Sequence, residues 1–191
     1  MKTIGDILSR DLTKKIVEVI QVDADKDEDL YSEITEYIAT DSIKEQYATL
    51  LKAIAEAPAD PHDSVGVWIS GFFGSGKSSF AKNLGYALQN RKVMDQDFST
   101  LFKDAIDDEK VTNLLDSINA RIPTKVVLFE VAKERDTRKV TERIAELIYT
   151  VLLRELGYAE DFDIAELEIE LEQEGKLDTF VEKCNEIYPD G

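Results

Sequence analysis

Apolar residues recur every three or four positions through most of the chain, which is the spacing of helices that bury one face. Ser42 and Glu45 have the spacing of a capping box at the start of one helix, and Gly157 follows another helix as a C-cap. The pattern predicts helices at residues 4–8, 30–38, 43–54, 79–89, 98–106, 111–118, 140–152, 164–174 and 177–187.

Three shorter runs have the composition of β-strands. Residues 15–22 are rich in β-branched side chains, and residues 65–70 and 125–131 are short apolar runs of the kind buried in parallel sheets. The second run leads into a glycine-rich loop and then a helix. We therefore expect an α/β fold of the P-loop NTPase type with a parallel sheet. Such a sheet usually has about five strands, so we expect it to be incomplete in this chain.

Changes of pattern divide the chain into three parts. Residues 1–63 predict an N-terminal α/β extension that ends in a proline-containing connector. Residues 64–135 predict part of a P-loop nucleotide-binding core. Residues 136–191 predict a helical segment that we expect to continue into a longer native chain.

The sequence Gly-Phe-Phe-Gly-Ser-Gly-Lys-Ser at residues 71–78 matches the phosphate-binding motif G-x-x-x-x-G-K-[ST] in full. Glycines allow backbone conformations that are closed to other residues and bring successive N–H groups close to phosphate oxygens. The helix that follows points the positive end of its dipole at the same anion. The predicted nucleotide-binding residues are Gly71, Gly74, Ser75, Gly76, Lys77, Ser78 and Ser79.

Two side chains of this motif have distinct predicted roles. Lys77 is expected to place its ammonium between the β- and γ-phosphates of ATP, and Ser78 to give its hydroxyl to Mg²⁺. The neighbouring aromatic residues are expected to pack instead of binding. Trp68 should lie in the core with its strand, and Phe72 and Phe73 should hold the loop against neighbouring helices.

Hydrolysis needs an acidic residue near the phosphates, and one candidate follows a predicted strand. Glu130 stands after the apolar residues 126–129. An ordinary strand exit explains this position equally well, and Asp is the more usual residue there. The sequence thus predicts nucleotide binding and leaves the catalytic residue unassigned.

The charge of the chain limits its partners. It has 191 residues, of which 40 are acidic and 23 basic, with a net charge of −17. Such a field repels nucleic acid, so direct DNA binding by this acidic region is not expected. No apolar run approaches the ~20 residues that span a bilayer, and the N-terminus lacks a signal-peptide pattern. We expect a cytoplasmic protein whose single cysteine, Cys184, is partly buried and unreactive.

In these motifs the chain resembles the BrxC (PglY) family of large P-loop ATPases from bacterial BREX anti-phage systems. The most specific likeness is the tryptophan-bearing run joined to the glycine-rich loop, within residues 65–88. The likeness extends to residues 4–22, 36–40, 125–129 and 164–168, with Gly175 following. After residues 125–129 the family has an Asn-containing stretch, whereas this chain has Glu130 and Val131.

The resemblance implies a very long ATPase related to the AAA+ group, of which this chain would be the N-terminal portion. It transfers the family's roles to Gly71, Gly76, Lys77 and Ser78. It also implies an oligomer when full length, in which ATP binding regulates assembly with other BREX-system proteins. Two alternatives stay open: a freestanding small P-loop kinase, and a nucleotide-gated scaffold that binds ATP without turnover.

Overall fold

The computed structural model describes residues 26–59, 66–134 and 143–188. Helices account for 69% of these residues and strands for 3%. The chain divides into two compact units between Leu128 and Phe129. The helix and strand predicted within residues 4–22 lie outside the described residues.

The first unit has five α-helices in its described part. They are α1 (Asp27–Thr35), α2 (Asp41–Glu56), α3 (Lys77–Gln89), α4 (Phe98–Ile106) and α5 (Glu109–Arg121), and a 3-10 turn at Ala57–Ala59 follows α2. The start of α2 differs from the predicted capping box at Ser42. The helix begins at Asp41 because the side chain of Thr40 accepts a hydrogen bond from Ile43 N.

An aromatic cluster forms the centre of the first unit's core. Tyr47 of α2 is fully buried; its ring stacks on Phe80 of α3 at 4.1 Å and meets Phe102 of α4 edge-on at 5.1 Å. The phenol donates a hydrogen bond to the backbone O of Phe80 at 3.2 Å and shares another with Tyr37 Oη at 3.2 Å. Because these contacts join three helices, α2, α3 and α4 are positioned together.

A buried ion pair joins α1 to α3. Lys82 Nζ lies 2.8 Å from Glu33 Oε2, and the lysine side chain has no exposed surface. The distance is that of a hydrogen bond, but Nζ makes no well-angled hydrogen bond within the described residues. We therefore attribute the contact to attraction between the two opposite charges. This attraction is stronger in the poorly solvated interior than it would be at the surface.

A short hairpin connects α3 to α4. Strand β1 (Lys92–Val93) pairs antiparallel with β2 (Gln96–Asp97). Between them Met94 and Asp95 both have positive φ, 48° and 65°, which is the backbone of a type I′ turn. Asp27 at the start of α1 supports this turn, since its carboxylate accepts hydrogen bonds from Arg91 Nη2 at 2.8 Å and from Met94 N at 3.4 Å.

The predicted parallel sheet of the P-loop NTPase type is wrong. Among the described residues the sole sheet is this two-stranded antiparallel hairpin. Residues 66–70 of the first predicted buried strand are irregular and exposed. Of the second predicted strand, at residues 125–131, residues 125–130 are also irregular and Val131 begins a helix. The physical reason is that β-propensity describes a side chain on a half-buried sheet surface, and neither run pairs with a neighbour that would supply such a surface here.

Two apolar side chains of this segment, Val126 and Leu128, instead pack on α3. A Cβ at Gly85 would lie 3.1 Å from Val126 Cγ1 and 3.2 Å from Leu128 Cδ1. Two residues that are two positions apart therefore face the same helix, as the alternation of an extended chain requires. The close approach uses the missing side chain of Gly85 in the middle of α3.

The second unit is helical in its described part. It contains α6 (Val131–Glu134), α7 (Ile144–Leu156), α8 (Phe162–Gln173) and α9 (Leu177–Ile187). As predicted, Gly157 ends α7 with a positive φ of 92°, and Gly175 separates α8 from α9. Cys184 is partly buried, as expected. No helix in the described ranges combines the length and apolar character needed to cross a bilayer.

Candidate nucleotide-binding loop

The glycine-rich loop lies directly against the start of α3. Gly74 and Gly76 have positive φ values of 77° and 86°, which side chains other than glycine rarely tolerate. Ser75 N donates to the backbone O of Phe72 at 3.2 Å and closes a turn inside the loop. Gly76 is the N-cap of α3, so the predicted change from loop to helix next to Lys77 is confirmed.

The first turn of α3 presents backbone donors to the loop. The first N–H groups of any α-helix have no partner within the helix. Gly76 has no side chain that could cap them, and no side-chain cap bond forms at this end. The positive end of the helix dipole adds to these donors. An anion held in the loop would therefore meet the amides at the start of α3.

Three predicted site residues come together where the loop closes. A Cβ on Gly71 would lie 2.7 Å from Ser75 Oγ and 3.7 Å from Lys77 Cδ. Lys77 Nζ donates a hydrogen bond to the backbone O of Phe72 at 2.7 Å. The lysine side chain thus folds back over the loop, and its ammonium lies at the loop backbone instead of extending into solvent.

The two serines that follow Lys77 occupy the first turn of α3. Ser78 is exposed and Ser79 is half-buried. A single exposed hydroxyl suits Mg²⁺, which takes few protein ligands and fills its remaining positions with water and substrate phosphate oxygens. In the described part of the chain no cluster of three or more His, Cys, Asp or Glu residues could hold a metal ion. The hydroxyl of Ser78 therefore fits Mg²⁺ only when phosphate oxygens supply further ligands.

The aromatic residues around the loop are not packed as predicted. Trp68, Phe72 and Phe73 are 91%, 91% and 93% exposed, so the predictions that Trp68 lies in the core and that both phenylalanines pack on helices are wrong. The reason is that residues 66–70 do not join a sheet and leave these side chains without a surface to cover. Sequence reasoning missed this exposure, and apolar composition alone carries no signal for it.

Glu130, the candidate acid, belongs to the second unit. It immediately precedes α6, and its carboxylate lies 3.2 Å from Lys133 Nζ. Its backbone O also accepts hydrogen bonds from Lys133 N and Glu134 N. These contacts are those of a residue at a helix start, and a catalytic role for Glu130 stays a prediction.

No protein-family model matches the chain, and no solved structure matches it significantly. The functional assignment therefore depends on the motif and on the geometry of the loop.

Proposed function

We propose that residues 71–79 bind ATP with Mg²⁺, and that the chain is the ATP-binding N-terminal region of a BREX-type anti-phage ATPase. One observation supports the nucleotide assignment above all others: the glycine-rich loop closes on the first turn of α3 with Lys77 Nζ 2.7 Å from the loop backbone. The resemblance in residues 65–88 supports the BREX assignment.

Binding of a triphosphate would give Lys77 a new hydrogen-bond acceptor. Phosphate oxygens would replace the carbonyl of Phe72 as the acceptor for Lys77 Nζ, in a charge-assisted hydrogen bond that is stronger than the one it replaces. The amides at the start of α3 would donate to the same phosphates. Ser78 would hold Mg²⁺, which when bound offsets part of the phosphate charge.

Titration calorimetry with ATP and Mg²⁺ tests this assignment. Removal of a hydrogen bond to a charged group costs about 1.5–3 kcal/mol, so Lys77→Ala should bind ATP roughly 10- to 100-fold more weakly. Lys110→Ala is the matched control because Lys110 is an exposed lysine in the first turn of α5. Equal ATP affinity of Lys77→Ala and the Lys110→Ala control would exclude the proposed site.

A second comparison tests Ser78. Ser78→Ala should weaken ATP binding when Mg²⁺ is present and should leave it unchanged in EDTA, because the variant lacks only the metal-binding oxygen. Ser117→Ala is the control, because Ser117 is a serine of α5 that lies outside the loop. A similar loss in EDTA would show that Ser78 acts on the loop itself and not through Mg²⁺.

The scaffold alternative has one observation in its favour. Glu130, the candidate acid, is ion-paired to Lys133 at 3.2 Å, so its carboxylate is occupied by a partner. Release of phosphate over many turnovers by this chain, abolished in Lys77→Ala, would exclude the scaffold. Binding of ATP without phosphate release would support it for this part of the protein.

The BREX assignment is tested through its partners. ATP should promote co-elution of the protein with other BREX-system proteins in size-exclusion chromatography, and Lys77→Ala should abolish this effect. The same experiment with a DNA duplex should give no complex with this region, since its net charge is −17. Transfer of phosphate to a small-molecule acceptor would instead favour the kinase alternative. A cytoplasmic location is part of the same proposal.

A further inference from the structure

The first unit contains a groove beside the glycine-rich loop. The phosphate-binding motif does not account for this groove, because none of the residues that line it belongs to the motif. One wall is a face of α2, the other is the chain of residues 66–70, and Phe80 also lines it. Its volume is about 710 Å³, which is within the range of small-molecule sites, about 300–1,000 Å³. The α2 residues that line it are Ser42, Glu45, Gln46, Thr49, Leu50 and Ala53.

The groove and the loop are joined at two points. Ser70 lines the groove and is bonded directly to Gly71, the first residue of the loop. Phe80 lines the groove from α3, and it lies three residues after Lys77, about 4.5 Å further along the helix axis. A ligand held by its phosphates at the start of α3 therefore has this groove as a neighbour.

The chemistry of the groove differs from that of the loop. Its described lining includes one acid, Glu45, and no basic residue, so it does not attract phosphates. It offers the hydroxyl and amide groups of Ser42, Thr49 and Gln46, which can pair with the hydroxyls of a sugar or the edge of a base. Trp68 also lines the groove and is 91% exposed, and an accessible indole ring is a group on which a base can stack.

We infer that this groove binds the nucleoside end of the nucleotide whose phosphates occupy the loop. The inference depends on the proposed function, and it adds the residues that recognise the sugar and the base. It also accounts for the exposure of Trp68 together with that of Phe72 and Phe73, since several exposed apolar side chains beside a groove are typical of a binding surface.

The test compares ATP with tripolyphosphate, which has the phosphates and no nucleoside. In calorimetry with Mg²⁺, Trp68→Ala and Thr49→Trp should each weaken ATP binding on the order of tenfold, because one loses a stacking ring and the other fills the groove. The affinity of both variants for tripolyphosphate should stay within about twofold of the wild-type affinity, because neither change touches the phosphate-binding loop. Thr100→Trp is the matched control, since Thr100 is an exposed residue of α4 outside the groove.

Fluorescence gives a second measurement on the wild type. Trp68 is the single tryptophan of the chain, so ATP should change its emission and tripolyphosphate should not. Trp68→Ala also guards against misfolding, because the side chain it removes is almost wholly exposed.

The outcomes separate the two proposals. If Lys77→Ala weakens both ligands but the groove variants retain wild-type ATP affinity, the groove inference is wrong and the phosphate site stands. Equal affinity of the wild type for ATP and tripolyphosphate would also overturn the groove inference. If neither ligand binds the wild type, the proposed function fails, and the groove inference fails with it.

Discussion

Replacement of Tyr47 by phenylalanine would remove one hydroxyl from the centre of the first unit and leave the ring in place. The hydroxyl makes two hydrogen bonds of 3.2 Å, to the backbone O of Phe80 and to Tyr37 Oη. Each net hydrogen bond is worth about 1 kcal/mol, so Tyr47→Phe should lower the free energy of unfolding by about 1–2 kcal/mol. The melting temperature of a unit of this size should fall by roughly 3–5 °C for each kcal/mol.

Replacement by alanine would also remove the ring contacts with Phe80 at 4.1 Å and Phe102 at 5.1 Å. Losses of this kind cost about 3–5 kcal/mol. Urea titration followed by circular dichroism measures the change, and hydrogen exchange in peptides from α2 and α3 assigns it to the first unit. Leu153→Ala, a buried change in the second unit, is the control and should leave exchange in α2 unchanged.

The hydroxyl also predicts a dependence on pH. Burial raises the pKa of Tyr47 far above its ordinary value near 10, and burial raises the pKa of Tyr37 as well. The folded chain therefore keeps Tyr47 protonated while the unfolded chain ionises it above pH ~10. Because the pKa of Tyr47 is higher in the folded chain than in the unfolded chain, the free energy of unfolding does not depend on this group below pH ~10. It decreases as the pH rises above that value.

The Tyr47→Phe variant has no hydroxyl to ionise at this position, so it does not lose stability in this way. The difference in free energy of unfolding between the wild type and the variant should therefore shrink between pH 9 and 11. At pH 11 the ionisation of one unfolded tyrosine is worth about 1.4 kcal/mol, which is similar to the whole deficit at pH 7. A difference in free energy of unfolding between the wild type and Tyr47→Phe that stays constant with pH would contradict the burial of this hydroxyl. A Tyr47→Ala variant as stable as the wild type would contradict the aromatic packing.

Three further changes test the packing of the first unit. Glu33→Gln should destabilise it by about 3–5 kcal/mol because Lys82 is left buried without its counter-charge; urea titration should find most of this loss restored when Lys82→Met is added, and no restoration would contradict the ion pair. Gly85→Leu should push Val126 and Leu128 away from α3 at a cost of about 1–3 kcal/mol, and unchanged hydrogen exchange in residues 126–128 would contradict the contact. Asp108→Ala should cost about 1 kcal/mol in the same titration, because the aspartate caps α5 at 2.9 Å; an unchanged midpoint would contradict the cap.

The helices were largely predictable from the sequence, and their ends less so. Periodicity placed the helix at residues 98–106 with the bounds that α4 has, and it placed α9 in the same way. Errors occur where capping chemistry was ambiguous. Thr40 and Ser42 are both good N-cap residues, and the spacing of a capping box favoured Ser42 although Thr40 makes the bond.

The loop was also predictable, because its motif specifies backbone conformation locally. Gly74 and Gly76 adopt the positive φ values that their positions require, and Lys77 begins the helix. The groove next to the loop was not predictable. Its α2 wall and residues 66–70 are distant in sequence, and no periodicity in either of them indicates that the two are neighbours.

The helices and the phosphate-binding motif could be predicted from local sequence alone, because the hydrogen bonds of a helix and the turns of a short loop join residues close in the chain. Long-range packing set the conformation of the two apolar runs predicted as strands, residues 65–70 and 125–131, within the part of them that the structure describes. A strand needs a partner that sequence proximity does not provide. Here Val126 and Leu128 pack on α3 at Gly85, and residues 66–70 stay exposed along the groove. The same runs that predicted a parallel sheet thus leave Trp68 in solvent next to the loop.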